Sequence, residues 1–352
     1  MARDTWDLER IYASEEDFLK DVNEVKKEII PSYAALQGKL GEDDSLKKYF
    51  ALERKMDEKL SRLGMFASMR SDLDKKNVAN ASDLSKVEFL FNDYQTATSF
   101  VSPELLGLGK EKIDAYFERH PEDKDFDHSM DVLFRNADYI LPGDKEKLLS
   151  YYSPLSGAGS TLYSQLSVGD YVPKKAKLKN GKEVEVNMAN WTTLVAQAEC
   201  EEDRKAIFES LYSWYDEHKN VYGEIYNTVV QAELAEMKTR GYSSILQSHL
   251  YGNKIPEEVF HNLIEVASTH AEPLKKYYEV RRKALGLEKH RSYDRFIPLA
   301  KSDKKYTFEE ARELFFRSIE KFPSDFQAKA HDVSSDGYVD VYHHPGKRTG
   351  AY

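Results

Sequence analysis

Cysteine is nearly absent: one residue in 352, Cys200, so no internal disulfide can form and a reducing compartment is the expectation. Its neighbourhood, "AECEEDR", surrounds the thiol with carboxylates, which disfavours a reactive thiolate. No run of about 18 apolar residues occurs, which argues against a membrane-spanning helix. The opening "MARDTWDLER" has acids where a signal peptide would need an apolar segment, so the expected location is cytoplasmic. A basic surplus is missing too. With 51 Lys and Arg against 61 Asp and Glu, the formal charge of -10 speaks against nucleic acid and anionic lipid as partners. Only 11 prolines and 17 glycines interrupt the chain, which suits long helices.

Catalytic motifs are also wanting. The sequence holds no H-E-x-x-H, no G-x-S-x-G elbow, no Walker loop and no G-x-G-x-x-G. Ten histidines are present, but none has another four positions on. His343 and His344 are adjacent in a stretch that reads as a strand, and would point to opposite faces. His270, on the apolar stripe of a helical pattern, reads as a packed core residue. Glu201-Glu202-Asp203 and Glu309-Glu310 each open a helical run, where the helix dipole accounts for them. "SGAGS" at 156–160 reads as a flexible loop. No catalytic or metal-ligating residue can be named from these patterns.

What is present is helical periodicity. Ser14 and Asp17 resemble a capping box before Phe18, Val22, Val25 and Ile29, up to Pro31. Leu46, Tyr49, Leu52, Met56, Leu60 and Leu63 form a second run, and Leu84, Val87, Leu90, Phe91 and Tyr94 a third. These predict antiparallel helices in a bundle. Two helices follow between Asn190 and Gly241, then one from Pro256 with a kink at Pro273. Thr307 and Glu310 form a further capping box. Between them "AKLKNGKEVEV" predicts a β-hairpin with a type I′ turn at Asn180-Gly181. Lys174, Lys175, Lys177, Lys179 and Lys182 would make a solvated edge that resists strand pairing. The final stretch from Gly337 predicts strand, turn and strand, with Lys347 and Arg348 as solvated turn charges.

Several stretches, in order and spacing, resemble the oligoendopeptidase F family of zinc metallopeptidases, related to thimet oligopeptidase. They are "WDLERIY" (6–12), "YILPGDKEKLLSYYSPL" (139–155), "MKTRGYSSILQSHLYGNKIPEEVFHNLIEVA" (237–267), "YYEVRRKALGLEKHRSYDRFIPL" (277–299) and "YVDVYHHPGKRTGAY" (338–352). The resemblance implies a mainly α fold: a helical bundle at 1–110, a helical region with the hairpin at 111–190, and part of a helical peptidase domain at 191–352, with a short β-sheet at the cleft. It implies an enzyme that hydrolyses short, unfolded peptides, using zinc held by an H-E-x-x-H helix and a later Glu. The motif's Glu would act as base on a metal-bound water.

The sequence reaches Tyr352 without that motif. The expectation is therefore an N-terminal, catalytically incomplete part that binds no zinc alone, with the missing C-terminal half as a further partner. Gly350, Ala351 and Tyr352 match the family's Gly-Ala-Tyr, where exposed backbone would pair with an extended peptide. The competing reading is a helical peptide-binding or interaction protein without catalysis.

Overall fold

The computed structural model describes residues 4–300, 304–344, 346–348 and 350. It begins with a helical bundle. Helix α1 (Glu15–Glu24) starts where Ser14 Oγ accepts the Asp17 N–H at 3.1 Å, with three acids in its first turn. It passes through a π-turn at Val25–Ile29 into the single turn α2 (Ile30–Ser32). Phe18, Val25 and Ile29 point inward, as their spacing predicts. Helix α3 (Asp43–Leu73) is 31 residues long, about 46 Å at 1.5 Å per residue, and buries Leu46, Phe50, Met56, Leu60 and Leu63. A short connection capped by Asn77 leads to α4 (Val78–Thr98), which packs back along α3. Helices α5 (Val101–Leu108), α6 (Lys110–Arg119) and α7 (Asp127–Arg135) close the same core through Leu105, Ile113, Phe117 and Met130.

Inside this bundle sits a carboxylate. Glu53 accepts from Tyr33 Oη at 2.7 Å and from Tyr94 Oη at 2.8 Å. Burial outweighs these hydrogen bonds and raises its pKa above the ordinary carboxylate value.

Helices α8 (Gly143–Ser150), α9 (Ser153–Ser156) and α10 (Ala158–Ser164) follow. The "SGAGS" stretch is thus helical rather than a flexible loop. Gly159 lies against α13 (Lys219–Arg240), where an added Cβ would stand 2.5 Å from Val229 Cγ2; the glycine serves close helix packing.

The hairpin is present, with β1 (Lys174–Lys177) antiparallel to β2 (Glu183–Val186) and Lys174 opposite Val186. Its turn is not type I′, because only Gly181 of the Asn-Gly pair has positive φ, at 84°. The Gly181 N–H instead closes the turn on the Leu178 carbonyl at 2.8 Å. Ala176 and Val186 face a second core made by Trp191 and Val195 of α11 (Trp191–Gln197), Ile207 and Leu211 of α12 (Glu201–Glu217), and Tyr293. Three of the lysines meet acids: Lys174 with Glu217, Lys175 with Glu183, and Lys179 with Glu202. Cys200 precedes α12. The Asp203 N–H favours its thiolate, but desolvation and the Glu202 and Asp203 carboxylates prevail and push the thiol up.

Helix α13 ends at Gly241, which takes the left-handed conformation at φ 85°. After α14 (Ile245–Tyr251) the chain makes α15 (Glu257–Thr269) and α16 (Glu272–Ala284). Pro273 does not kink one helix; it lies in the first turn of a new one, where its missing N–H costs nothing. His270 is exposed, not packed. It follows the last turn of α15, with Nδ1 3.2 Å from the Val266 carbonyl oxygen. Helix α17 (Phe308–Ser318) has the reciprocal capping box of Thr307 and Glu310, and α18 (Ser324–Val333) precedes the tail. Among the described residues no helix is long and apolar enough to cross a membrane.

Candidate functional site

The tail from Gly337 is where the sequence placed substrate-binding residues. Its described residues form no strand; they are held in a different way. The Asp7 N–H donates to the Gly337 carbonyl at 2.7 Å, and the Val341 N–H to the Asp4 carbonyl at 2.9 Å. Further on, the Lys75 N–H donates to the Gly346 carbonyl at 2.8 Å, and the Arg348 N–H to the Asp72 carbonyl at 3.0 Å. The strand-like sequence therefore finds its backbone partners near the start of the chain and at the C-terminal end of α3, too briefly for a regular ladder.

Both contacts use glycines at positive φ. At Gly337 (φ 87°) an added Cβ would lie 2.6 Å from the Asp7 Cβ; at Gly346 (φ 90°) it would lie 2.6 Å from Asp74 Oδ1. Lys347 is not a solvated turn charge: its ammonium pairs with the enclosed Asp340 carboxylate at 2.5 Å and donates to the Tyr342 carbonyl at 2.8 Å. Arg348 does reach solvent, with Nη1 3.4 Å from the Asp72 carboxylate. His343 and His344 are both exposed. Gly350 has φ 112°, a conformation that favours glycine, and no atom among the described residues lies near where its side chain would stand. Ala351 and Tyr352 lie outside the described residues.

A cavity of about 950 Å³ lies elsewhere, between α4, α5, α8, α9 and α13. Thr228, Ala232, Ala235 and Thr239 put one face of α13 along it, and Gln95, Thr98, Ser99, Ser102, Ser150 and Ser153 form the facing wall. These side chains are too short to fill the gap. Their hydroxyls and amides can donate and accept hydrogen bonds, while Ile140, Leu149, Tyr152 and Leu155 add apolar surface, which suits a ligand that offers both. At one end Arg240 Nη1 donates to Glu146 at 2.8 Å and to the Tyr139 carbonyl at 3.1 Å. Burial disfavours the charged guanidinium, but hydrogen bonds with Glu146 and Glu236 prevail and raise its pKa. The motif-by-motif reading of the sequence missed this cavity. The i, i+4, i+7, i+11 run of small residues on α13 was the available signal.

Zinc needs several nitrogen, sulfur or oxygen donors converging within about 2.0–2.3 Å. Among the described residues no group of three or more His, Cys, Asp or Glu side chains is gathered so as to hold a metal ion. His249 pairs with Glu233, His218 sits against the Trp214 carbonyl, and His331 stacks on Phe316, each apart from the others. The described residues do not fit a zinc site.

Comparison with known proteins decides the family. The model described as Peptidase family M3 matches residues 194–352, and the one described as Oligopeptidase F matches residues 104–172, so that together they cover more than half of the chain. The chain belongs to the oligoendopeptidase F group of peptidase family M3. It is 30% identical over 353 residues to oligopeptidase PepF of Bacillus subtilis (strain 168), a match covering 100% of this chain and 52% of that protein. It is 28% identical over 347 residues to group B oligopeptidase PepB of Streptococcus agalactiae serotype III (strain NEM316), covering 99% of this chain and 58% of that protein. The fold is that of the oligoendopeptidase-F from Enterococcus faecium, with a TM-score of 0.78 at 23% identity over 91% of this chain and 60% of that one. This oligoendopeptidase F chain thus spans about half the length of the curated relatives it matches.

Proposed function

We propose that this chain is part of a zinc-dependent metalloendopeptidase that hydrolyses short, unfolded oligopeptides in the cytoplasm, and that it supplies substrate-side surfaces. The observation that carries the reading is the match of residues 194–352 to the Peptidase family M3 model. Its share of the work is peptide binding, because the 352 residues contain no H-E-x-x-H and the described residues gather no metal donors. Gly350, Ala351 and Tyr352 are proposed to offer backbone to an extended peptide, by strand addition. The cavity along α13, with its mixed hydroxyl and apolar lining, is a second surface of suitable chemistry.

Two measurements test this together. Calorimetry with mixed short peptides should show binding in the millimolar range or tighter, while a quenched fluorescent peptide stays uncut in the presence of added zinc. Turnover by the chain alone, abolished by a chelator, would show that it carries the catalytic groups after all. No heat of binding at millimolar peptide would remove the substrate-side role. Binding without turnover even in a preparation of relative length would favour the non-catalytic reading instead.

A further inference from the structure

Helix α15 turns to solvent what a helix normally buries. It is fully amphipathic, with Glu258, Asn262 and Glu265 on one side and Val259, Leu263 and Val266 on the other, yet no residue of it is buried, and Leu263 is 65% exposed. Helix α16 repeats the pattern. Its last turn is fixed, because Arg281 is buried and donates to the carbonyls of Asp294, Arg295 and Ile297, at 2.6 Å for the last. In the turns before it Leu274, Tyr277 and Val280 are each half exposed or more. Soluble proteins rarely leave apolar stripes on successive helices uncovered, since the area would be removed from water wherever a complement exists.

The relatives indicate what covers it. The match spans 52% and 58% of the two curated proteins and 60% of the solved one, so each carries a large further part that must pack on something. These faces are ridges of side chains on completed helices, with their backbone groups already paired. Their complement is therefore the apolar stripe of another helix and not an added strand.

We propose that the apolar stripes of α15 (Val259, Leu263, Val266) and α16 (Leu274, Tyr277, Val280) are the docking surface for the part of an oligoendopeptidase F polypeptide that lies outside the matched region. The proposal rests on family membership and fold, not on the peptidase reading.

The probe is the part of Bacillus subtilis PepF outside its match to this chain, coexpressed with the full 352-residue chain and examined by sedimentation. A 1:1 complex is expected, weakened at least tenfold by Leu263→Asp or Val280→Asp, with helix content and unfolding transition unchanged because both positions are exposed. Equal binding by wild type and variants overturns the proposal, as does no association. Concentration-dependent self-association that the variants abolish would assign the surface to a second copy and also overturn it. Should the probe not fold alone, it is joined to this chain in one polypeptide and Leu263→Cys is labelled with a maleimide in a Cys200→Ser background. Labelling should slow at least tenfold relative to the chain alone; unchanged labelling overturns the proposal. Neither readout involves turnover, so a result here stands apart from any peptidase assay.

Discussion

Arg204 Nε donates to Asp294 Oδ1 at 2.8 Å, across ninety positions of sequence, and both side chains are almost wholly enclosed. Asp294 also accepts the Arg291 N–H at 2.8 Å, so one carboxylate ties α12 to the turn that starts at Ser292. Removing one partner leaves a buried charge without its complement. Arg204→Ala or Asp294→Ala should each lower the unfolding free energy by about 3–5 kcal/mol, measured from urea titrations. The double replacement Arg204→Met, Asp294→Leu should cost less than the sum of the two. A change under 1 kcal/mol in both single variants would show that the pair is not holding the second core together.

Glu53 makes the bundle's stability depend on pH. Its folded pKa is raised, chiefly by burial, so the folded state keeps its proton at pH values where the unfolded chain has released it. The favourable contribution is complete below the ordinary carboxylate pKa of 4.5 and is lost as pH rises through the folded value. Glu53→Gln keeps an acceptor for Tyr33 and Tyr94 and cannot ionise. Its stability should therefore fall less than the wild type's as pH rises above about 4.5. Parallel curves for the two proteins would remove Glu53 as the cause. Tyr33, Tyr49 and Tyr94 are also pushed up, first by burial, so a further loss is expected above pH 10 as unfolded tyrosines ionise.

Gly159 tests whether space or propensity governs the packing of α10 on α13. Alanine in a helix interior gains roughly 0.5–1 kcal/mol over glycine, less in the first turn of α10, and here its Cβ would meet Val229 Cγ2 at 2.5 Å. Val229 is β-branched within a helix and has little rotameric freedom to withdraw. Gly159→Ala should therefore destabilise by about 1–2 kcal/mol net, within the range for overpacking. Adding Val229→Ala should restore much of the loss, and a thermal-unfolding cycle would show the coupling. A stabilised Gly159→Ala variant would mean that propensity governs.

The same glycine shows where reading from sequence stops. Caps and periodic faces are local, so Ser14, Thr307 and the stripe of α3 announced their helices directly. The hairpin's alternation placed its strands, though the φ of Asn180 was not legible from the Asn-Gly pair. Gly159 and Ser160 read as loop because the reason for smallness, the passage of Val229, lies some seventy residues on. His270 sat on an apolar stripe and read as core; that stripe is open, so position on a face did not report burial. At the candidate site, Gly350 is assigned a role only through family resemblance, since no local pattern points to it. The seat of the tail on residues 4–7 and 72–75 was legible by no local pattern at all.

That seat yields the last prediction. Gly337 holds φ 87°, a conformation that costs an L-residue about 1–2 kcal/mol, and its missing Cβ is what lets Asp7 approach. The obstructing atom would be the Asp7 Cβ, one bond from the backbone, so no flexible side-chain end can yield. Gly337→Ala should thus open the first contact, where the Asp7 N–H meets the Gly337 carbonyl and the Val341 N–H meets the Asp4 carbonyl. The second contact, at Gly346, is a separate pair of hydrogen bonds, joined to the first by the ion pair of Lys347 with Asp340. Amide exchange distinguishes them. In Gly337→Ala the Val341 amide should exchange at least tenfold faster while the Arg348 amide changes less, and Gly346→Ala should reverse the order. If the two amides accelerate together in both variants, the tail is held as one unit. If neither changes, these glycines do not hold it. Because Gly350 follows directly on this segment, separate opening of the two contacts would also predict weaker peptide binding in Gly346→Ala than in Gly337→Ala.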